Sequence, residues 1–199
     1  MKNVSVILLM AGTASRMNSI TNKVFLNLGN KKVFNHSLDK ILKIDSINKI
    51  IIVYNSNDLE LLKELLVDYQ EENICLVEGG STRNSSVING LKEVDTEYVL
   101  IHDAARPFTN IQDIRMLIDA FNIYDVVSLY HDVVDAIKYN GKSINKNELK
   151  AVTTPQGFNK KAYTYLLNNP NEFAQDDLEI IESTSFTIGY IKETSNNKK

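Results

Sequence analysis

Charged residues with chemical potential cluster just beyond short apolar runs, where strands would deliver their loops. After Val4 to Leu9 comes Ala11-Gly12-Thr13-Ala14-Ser15-Arg16-Met17, with Lys23 seven residues beyond Arg16. A loop of this kind turns backbone N–H groups toward an anion, and Arg16 and Lys23 add positive charge, which outlines a phosphate site. An ordinary solvated strand-to-helix turn fits the same residues. The second cluster, Gly79-Gly80-Ser81-Thr82-Arg83-Asn84-Ser85-Ser86, follows another apolar run and opens a helix. Its glycines allow close backbone approach, and its serines either hydrogen-bond a base edge or cap the helix. The third, His102-Asp103-Ala104-Ala105-Arg106-Pro107, ends the run Tyr98 to His102. A carboxylate and a guanidinium closing a buried strand both need partners. Asp103 suits a magnesium ion or its waters beside phosphates, and a structural Asp103–Arg106 ion pair is the competing reading.

Two further clusters say less by themselves. Thr154-Pro155-Gln156-Gly157-Phe158 is a rigid turn, and Gln175-Asp176-Asp177 with Glu182 beyond it reads as an acidic helix start favoured by the helix dipole. Other chemistries lose support. Neither G-x-G-x-x-G nor G-x-x-x-x-G-K-[ST] occurs. His36, His102 and His131 have no zinc-ligand spacing with Cys75, and no serine or cysteine nucleophile motif appears.

The elements that must position these loops alternate. Strands are expected at Val4 to Leu9, Lys49 to Tyr54, Asn73 to Val77, Tyr98 to His102 and Asp125 to Leu129. Helices are expected at Asn35 to Lys43, Asp58 to Tyr69 with Asp58 as cap, Ser86 to Val94, Ile111 to Tyr124, Lys160 to Asn168 and Asp176 to Ser183. Apolar, non-alternating strands separated by helices predict a mostly parallel sheet covered on both faces, with ligands beyond the strands' carboxyl ends. Tyr130 to Lys150 breaks this rhythm: it is polar, carries Asn140-Gly141, and reads as a protruding hairpin. The tail Glu193 to Lys199 reads as a frayed end.

With 199 residues, 43% hydrophobic and 24% charged, the chain fits one α/β domain. A net charge of -3 gives no global attraction for nucleic acid or an anionic membrane, so neither partner is expected and phosphate binding must be local. The single Cys75 permits no internal disulfide and reads as a core residue, which suits a reducing, cytoplasmic compartment. The apolar run after Lys2 is too short for a membrane span and fits a first buried strand better.

Taken in order, AGTASRM with Lys23, GGSTRNSSVINGL, VLIHDAARPF, VVDAIK, TTPQGF and QDDLEIIE resemble the 2-C-methyl-D-erythritol 4-phosphate cytidylyltransferases and the related ribitol 5-phosphate cytidylyltransferases. The resemblance spans nearly the whole chain. It implies a single three-layer, Rossmann-like nucleotidyltransferase domain over residues 1–199, with a β-arm at 133–150 that is exchanged in a homodimer. It implies CTP as co-substrate, Mg2+ as cofactor, and transfer of CMP to 2-C-methyl-D-erythritol 4-phosphate with release of pyrophosphate, a step towards isoprenoid precursors by the non-mevalonate route. Ribitol 5-phosphate, for wall polymers, is the alternative acceptor, and a CTP-binding module without turnover is the alternative class. HDAARP, with alanine before the arginine, favours the first acceptor.

Carried onto this sequence, the family motifs make Arg16 and Lys23 catalytic, stabilising charge on the CTP α-phosphate. Gly80, Ser81 and Ser86 would contact cytosine, and Asp103 and Arg106 would sit near ribose, phosphates and metal. The nucleotide site would also include Ala11, Gly12, Thr13, Ala14, Ser15, Arg83 and Ala104. Ala136, Lys146, Gln175 and Lys199 fall at acceptor-binding positions. Departures from the pattern are Ala14 for a loop glycine, Asn22 for a proline before Lys23, and Ala136 and Gln175 for threonines. Lys146 stands for an arginine, which keeps the charge and loses the bidentate fork.

Overall fold

The computed structural model describes residues 2–12, 22–69, 73–195 and 197. Its strands are β1 (Val4–Leu9), β2 (Asn27–Leu28), β3 (Lys31–Lys32), β4 (Ile47–Tyr54), β5 (Ile74–Glu78), β6 (Tyr98–Asp103), β7 (Val126–Asp132), β8 (Lys138–Tyr139), β9 (Lys142–Ser143), β10 (Lys150–Asn159) and β11 (Ile188–Lys192). Its α-helices are α1 (Val33–Ile41), α2 (Leu59–Leu66), α3 (Arg83–Leu91), α4 (Ile111–Ala120) and α5 (Lys160–Asn168). Seven strands form one sheet in the order β11-β7-β10-β6-β1-β4-β5. All its pairings are parallel except those of β10, which runs antiparallel to β6 and β7. The mostly parallel sheet expected from the apolar runs is therefore present.

The two faces of the sheet bury different side chains because successive strand residues point in opposite directions. Val6, Leu8, Ile50, Ile52 and Leu100 pack under Phe34, Leu38 and Ile41 of α1, Leu62 of α2, and Ile114 and Leu117 of α4. Ile7, Ile51, Val53, Val99 and Ile101 pack under Val87 and Leu91 of α3 and Ala162, Tyr163 and Leu166 of α5. This is the three-layer arrangement that parallel strands require, since neither face of such a sheet meets water. Cys75 is half-buried at the edge of the second layer.

Differences from the sequence reading have local causes. α3 starts at Arg83 rather than Ser86 because the Thr82 hydroxyl accepts a hydrogen bond from the Ser85 amide and Ser85 Oγ accepts one from the Thr82 amide, a reciprocal cap. Asp58 does not cap α2; its Oδ2 accepts from Asn22 Nδ2 at 3.0 Å. Residues 176–183 form successive turns instead of a helix. Asp176 Oδ1 accepts the amides of Leu178 and Glu179, and Leu178 and Ile181 are buried in the α3–α5 layer, so tertiary packing sets this segment. The tail is bonded rather than frayed where it is described: Glu193 N–H donates to Tyr130 O at 2.9 Å, and Thr194, Ser195 and Asn197 make bonds to or from side chains.

The expected protruding hairpin is present as β8 and β9. Asn140 (φ 48°) and Gly141 (φ 77°) supply the consecutive positive φ values of a two-residue turn matched to strand twist. In the central sheet, β10 passes so close to its neighbours that a Cβ at Gly157 would lie 2.7 Å from Phe121 and 2.8 Å from both Leu100 and Val127. Gly157→Ala should therefore lower unfolding free energy by about 1–3 kcal/mol in urea titrations, the usual cost of overpacking a core. An unchanged midpoint would show that the β10 contacts are looser than described.

Candidate active site

The carboxyl ends of the parallel strands deliver their loops to one place. Met10 N–H donates to Val53 O at 2.8 Å, Gly79 N–H to Tyr54 O at 2.8 Å, and Ala104 N–H to Leu9 O at 3.1 Å, so the loops after β1, β5 and β6 leave the sheet side by side. They touch: a Cβ on Gly79 would fall 2.4 Å from the Ala11 Cβ and 2.9 Å from Ser86 Oγ. Glycine is required at 79 by that approach. Among the described residues, nothing lies within 4 Å of where a Cβ on Gly12 would be. Gly80 N–H donates to Ser86 Oγ at 3.0 Å, and Ser86 donates to Thr82 O at 2.8 Å, so the buried Ser86 hydroxyl shapes the loop while Gly80 and Ser81 stay exposed.

Arg83, the first residue of this helix, faces two carboxylates. Its terminal nitrogens form a bidentate pair with Asp177 at 3.1 and 3.0 Å, and its Nε lies 3.5 Å from Asp103 Oδ1. Arg106 Nε lies 3.7 Å from Asp103 Oδ2. Asp103 is therefore held between two guanidiniums, and the ion pair foreseen with Arg106 is one half of that bridge. Asp177, read from sequence as a helix start, has a side chain only 2% exposed. Burial pushes its carboxyl upward and Arg83 pulls it back, while Asp177 and Asp103 raise the Arg83 guanidinium against the effect of its own burial. Beneath them, burial pushes His102 down to about 4, so its imidazole is neutral at physiological pH.

Thr154 connects this bridge to β10. Its hydroxyl accepts the Asp103 amide at 3.1 Å and lies 3.3 Å from His102 Nδ1, at the point where the β10–β7 ladder changes register. Lys23 begins a 3-10 turn whose cap, Asn22, is buried. Asn22 Nδ2 donates to Met10 O at 2.7 Å as well as to Asp58, so these bonds fix the turn that proline would otherwise stiffen. Thr13, Ala14, Ser15, Arg16 and Lys199 lie outside the described residues.

Not all the expected site residues converge. Ala136 and Lys146 are on the exposed arm, where Lys146 Nζ donates to Val134 O at 2.6 Å. Gln175 is exposed and its amide is taken by Glu179. Sequence reasoning missed Asp177 as the Arg83 partner and Thr154 as the Asp103 support; the only trace was their place in motifs whose physics alone was mute. Among the described residues no group of three or more acidic, histidine or cysteine side chains could hold a metal by itself. Asp103 suits a magnesium ion that takes most of its ligands from phosphates and water. A cleft of about 530 Å3 opens at the opposite, amino end of the strands, lined by residues including Asn3, Lys49 and Asp95. Lys49 there is committed to Glu93 O and Asp95, which leaves it poorly suited to a triphosphate.

The fold and this loop cluster define a nucleotidyltransferase-type α/β domain. The structure superposes on 4-diphosphocytidyl-2C-methyl-D-erythritol synthase from Anaerococcus prevotii with a TM-score of 0.85 and 29% identity, covering 100% of this chain and 90% of that one. The family model described as IspD, 2-C-methyl-D-erythritol 4-phosphate cytidylyltransferase, matches residues 4–199. The chain is 33% identical to the cytidylyltransferase of that name from Clostridium novyi, over 95% of this chain and 84% of the relative. It is also 33% identical to a bifunctional IspD/IspF enzyme from Pelagibacter ubique, of which it spans 54%. The chain belongs to the 2-C-methyl-D-erythritol 4-phosphate cytidylyltransferase family and is a cytidylyltransferase. Among the described residues no helix is long and apolar enough to cross a membrane.

Replacing Arg83 by methionine keeps much of its volume and removes the charge facing Asp177. The buried carboxyl should then take up a proton in the folded state, its pKa raised above the unfolded value. Stability linked to that proton is present at low pH and lost as pH rises, so Arg83→Met should be about 3 kcal/mol less stable than the parent at pH 8 and closer to it at pH 5. Urea unfolding at the two pH values checks this; a pH-independent difference would mean that Asp177 is not stranded.

Proposed function

We propose that this chain transfers CMP from CTP to 2-C-methyl-D-erythritol 4-phosphate, giving 4-diphosphocytidyl-2-C-methyl-D-erythritol and pyrophosphate. The observation that carries this reading is the meeting of the loops after β1, β5 and β6, with family motifs, at the carboxyl ends of a parallel sheet. Such an end is where open α/β sheets bind ligands. The exposed backbone of Gly80 and Ser81 suits the edge of a cytosine.

In the reaction an oxygen of the acceptor's phosphate attacks the α-phosphorus of CTP. The bond from that phosphorus to the bridging oxygen of the β-phosphate breaks, and pyrophosphate leaves with the electron pair. The attacking phosphate is already ionised, so no general base is required. What the protein supplies is position and positive charge against the charge that develops. Lys23, presented by the Asn22 turn, and Arg16 fill that role. Asp103 would hold a magnesium ion, which would supply positive charge beside the triphosphate, and Arg83 and Arg106 keep the carboxylate in place. Lys199, at the acceptor-phosphate position of the family motif, binds the second substrate.

The arm completes the site in a second copy of the chain. Val134, Tyr139 and Ile144 on it are 79%, 66% and 38% exposed, an apolar load on a thin hairpin that suits burial against a partner. Exchange between two subunits would bring Ala136 and Lys146 to the neighbouring acceptor site. Action in the cytoplasm agrees with the single, unpaired Cys75.

Pyrophosphate release with CTP and magnesium should occur with 2-C-methyl-D-erythritol 4-phosphate and not with ribitol 5-phosphate; the reverse preference would overturn the choice of acceptor. Lys23→Ala and Arg16→Ala should each lower turnover by at least ~100-fold, the scale of losing one transition-state donor. Near-normal rates in both would reject their assignment.

A further inference from the structure

Asp113 sits in the first turn of α4, away from the loops that face substrate, and its side chain is completely buried. A buried carboxylate demands compensation, and here it comes from the far end of the chain. Thr194 donates its amide at 2.8 Å and its hydroxyl at 2.7 Å to Asp113 Oδ1, and Ser195 donates its amide and its hydroxyl to Oδ2. Asn110, the cap of α4, adds a bond to the Thr194 hydroxyl at 2.9 Å. Two residues on, Asn197 is 1% exposed and ties three elements together. Its Oδ1 accepts from Thr109 at 2.6 Å, its Nδ2 donates to Thr154 O at 2.7 Å, and its carbonyl accepts from an Arg106 terminal nitrogen at 2.9 Å.

The bonded contacts therefore lead from Asp113 by way of Thr194, Ser195 and Asn197 to Arg106 and Thr154, two of the supports of Asp103. Among the described residues Arg106 Nε has no hydrogen-bond acceptor, so the Asn197 carbonyl is a main directional restraint on that guanidinium. We propose that Asp113 is a positioning residue for the transfer reaction: it anchors Thr194 and Ser195, and with them Asn197, against the carboxyl end of β6 and the first half of β10, and thereby fixes Arg106 and Thr154 around Asp103. For its activity readout the inference rests on the cytidylyl-transfer reading; for its structural readout it does not.

Asp113→Asn keeps the shape but leaves only one oxygen for four donors. Asn197→Ala removes the bonds to Thr109 and Thr154. Each should lower kcat by at least ~10-fold at temperatures well below its melting point, as expected when a reacting group is displaced by a fraction of an ångström. The double variant should be no worse than the poorer single, because both act through one segment. Amide exchange of the full-length, substrate-free protein provides the second readout. The amides of Asp103 and Arg106, bonded to Thr154 Oγ1 and Asp103 O, should lose protection by about tenfold or more in Asp113→Asn. A lower melting temperature with unchanged kcat and unchanged protection of those amides would overturn the proposal and leave Asp113 a structural residue. If the parent itself releases no pyrophosphate, the functional reading fails, and the exchange result still decides the clamp.

Discussion

One carboxylate between two guanidiniums is the interaction on which the rest of the site depends. Asp103 leaves the end of β6 with Arg83 on one side and Arg106 on the other, at 3.5 and 3.7 Å, and its side chain is 10% exposed. A lone ionised group at that depth would be costly, whereas a pair or bridge with its remaining donors satisfied is tolerated. Each guanidinium is anchored in turn, Arg83 by the buried Asp177 and Arg106 by the carbonyl of Asn197. The loop after β5, the loop after β6, the turns near residue 177 and the C-terminal segment are thus joined by charge rather than by apolar contact, at the end of the molecule where apolar contact would close the site.

The sheet explains why those groups meet. Four neighbouring parallel strands, in the order β6-β1-β4-β5, present their carboxyl ends together. The one reversed strand, β10, enters from the arm and carries Thr154 past Asp103 before running down the sheet. The arm and the loops at the carboxyl ends of the parallel strands are thus connected by a single strand.

Much of this was legible in the sequence because it is local. β-Branched runs reported five of the seven strands of the large sheet and apolar spacing reported α1 to α5, while β11 was not foreseen and Thr154 to Phe158, read as a rigid turn, is part of β10; Asn140-Gly141 reported the hairpin turn. The loops after β5 and β6 were legible as motifs and the Asp103–Arg106 pair as two charges three residues apart. What was not legible depends on partners far away in the chain. Asp177 lies 94 positions from Arg83, Thr194 lies 81 from Asp113, and Asn197 lies 91 from Arg106. Acidic and amide side chains at such positions look like solvated surface until packing buries them. The turns at 176–183 were mistaken for a helix for the same reason: Leu178 and Ile181 have helical spacing, yet Asp176 captures the first amides and the segment bends to bury both.

The most direct test of the account is a crystal structure of the protein with CTP and magnesium. The cytosine should lie against Gly80, Ser81 and Ser86, with the triphosphate between Lys23 and the magnesium held at Asp103. Nucleotide bound elsewhere, as in the cleft lined by Asn3 and Lys49 at the amino ends of the strands, would contradict it.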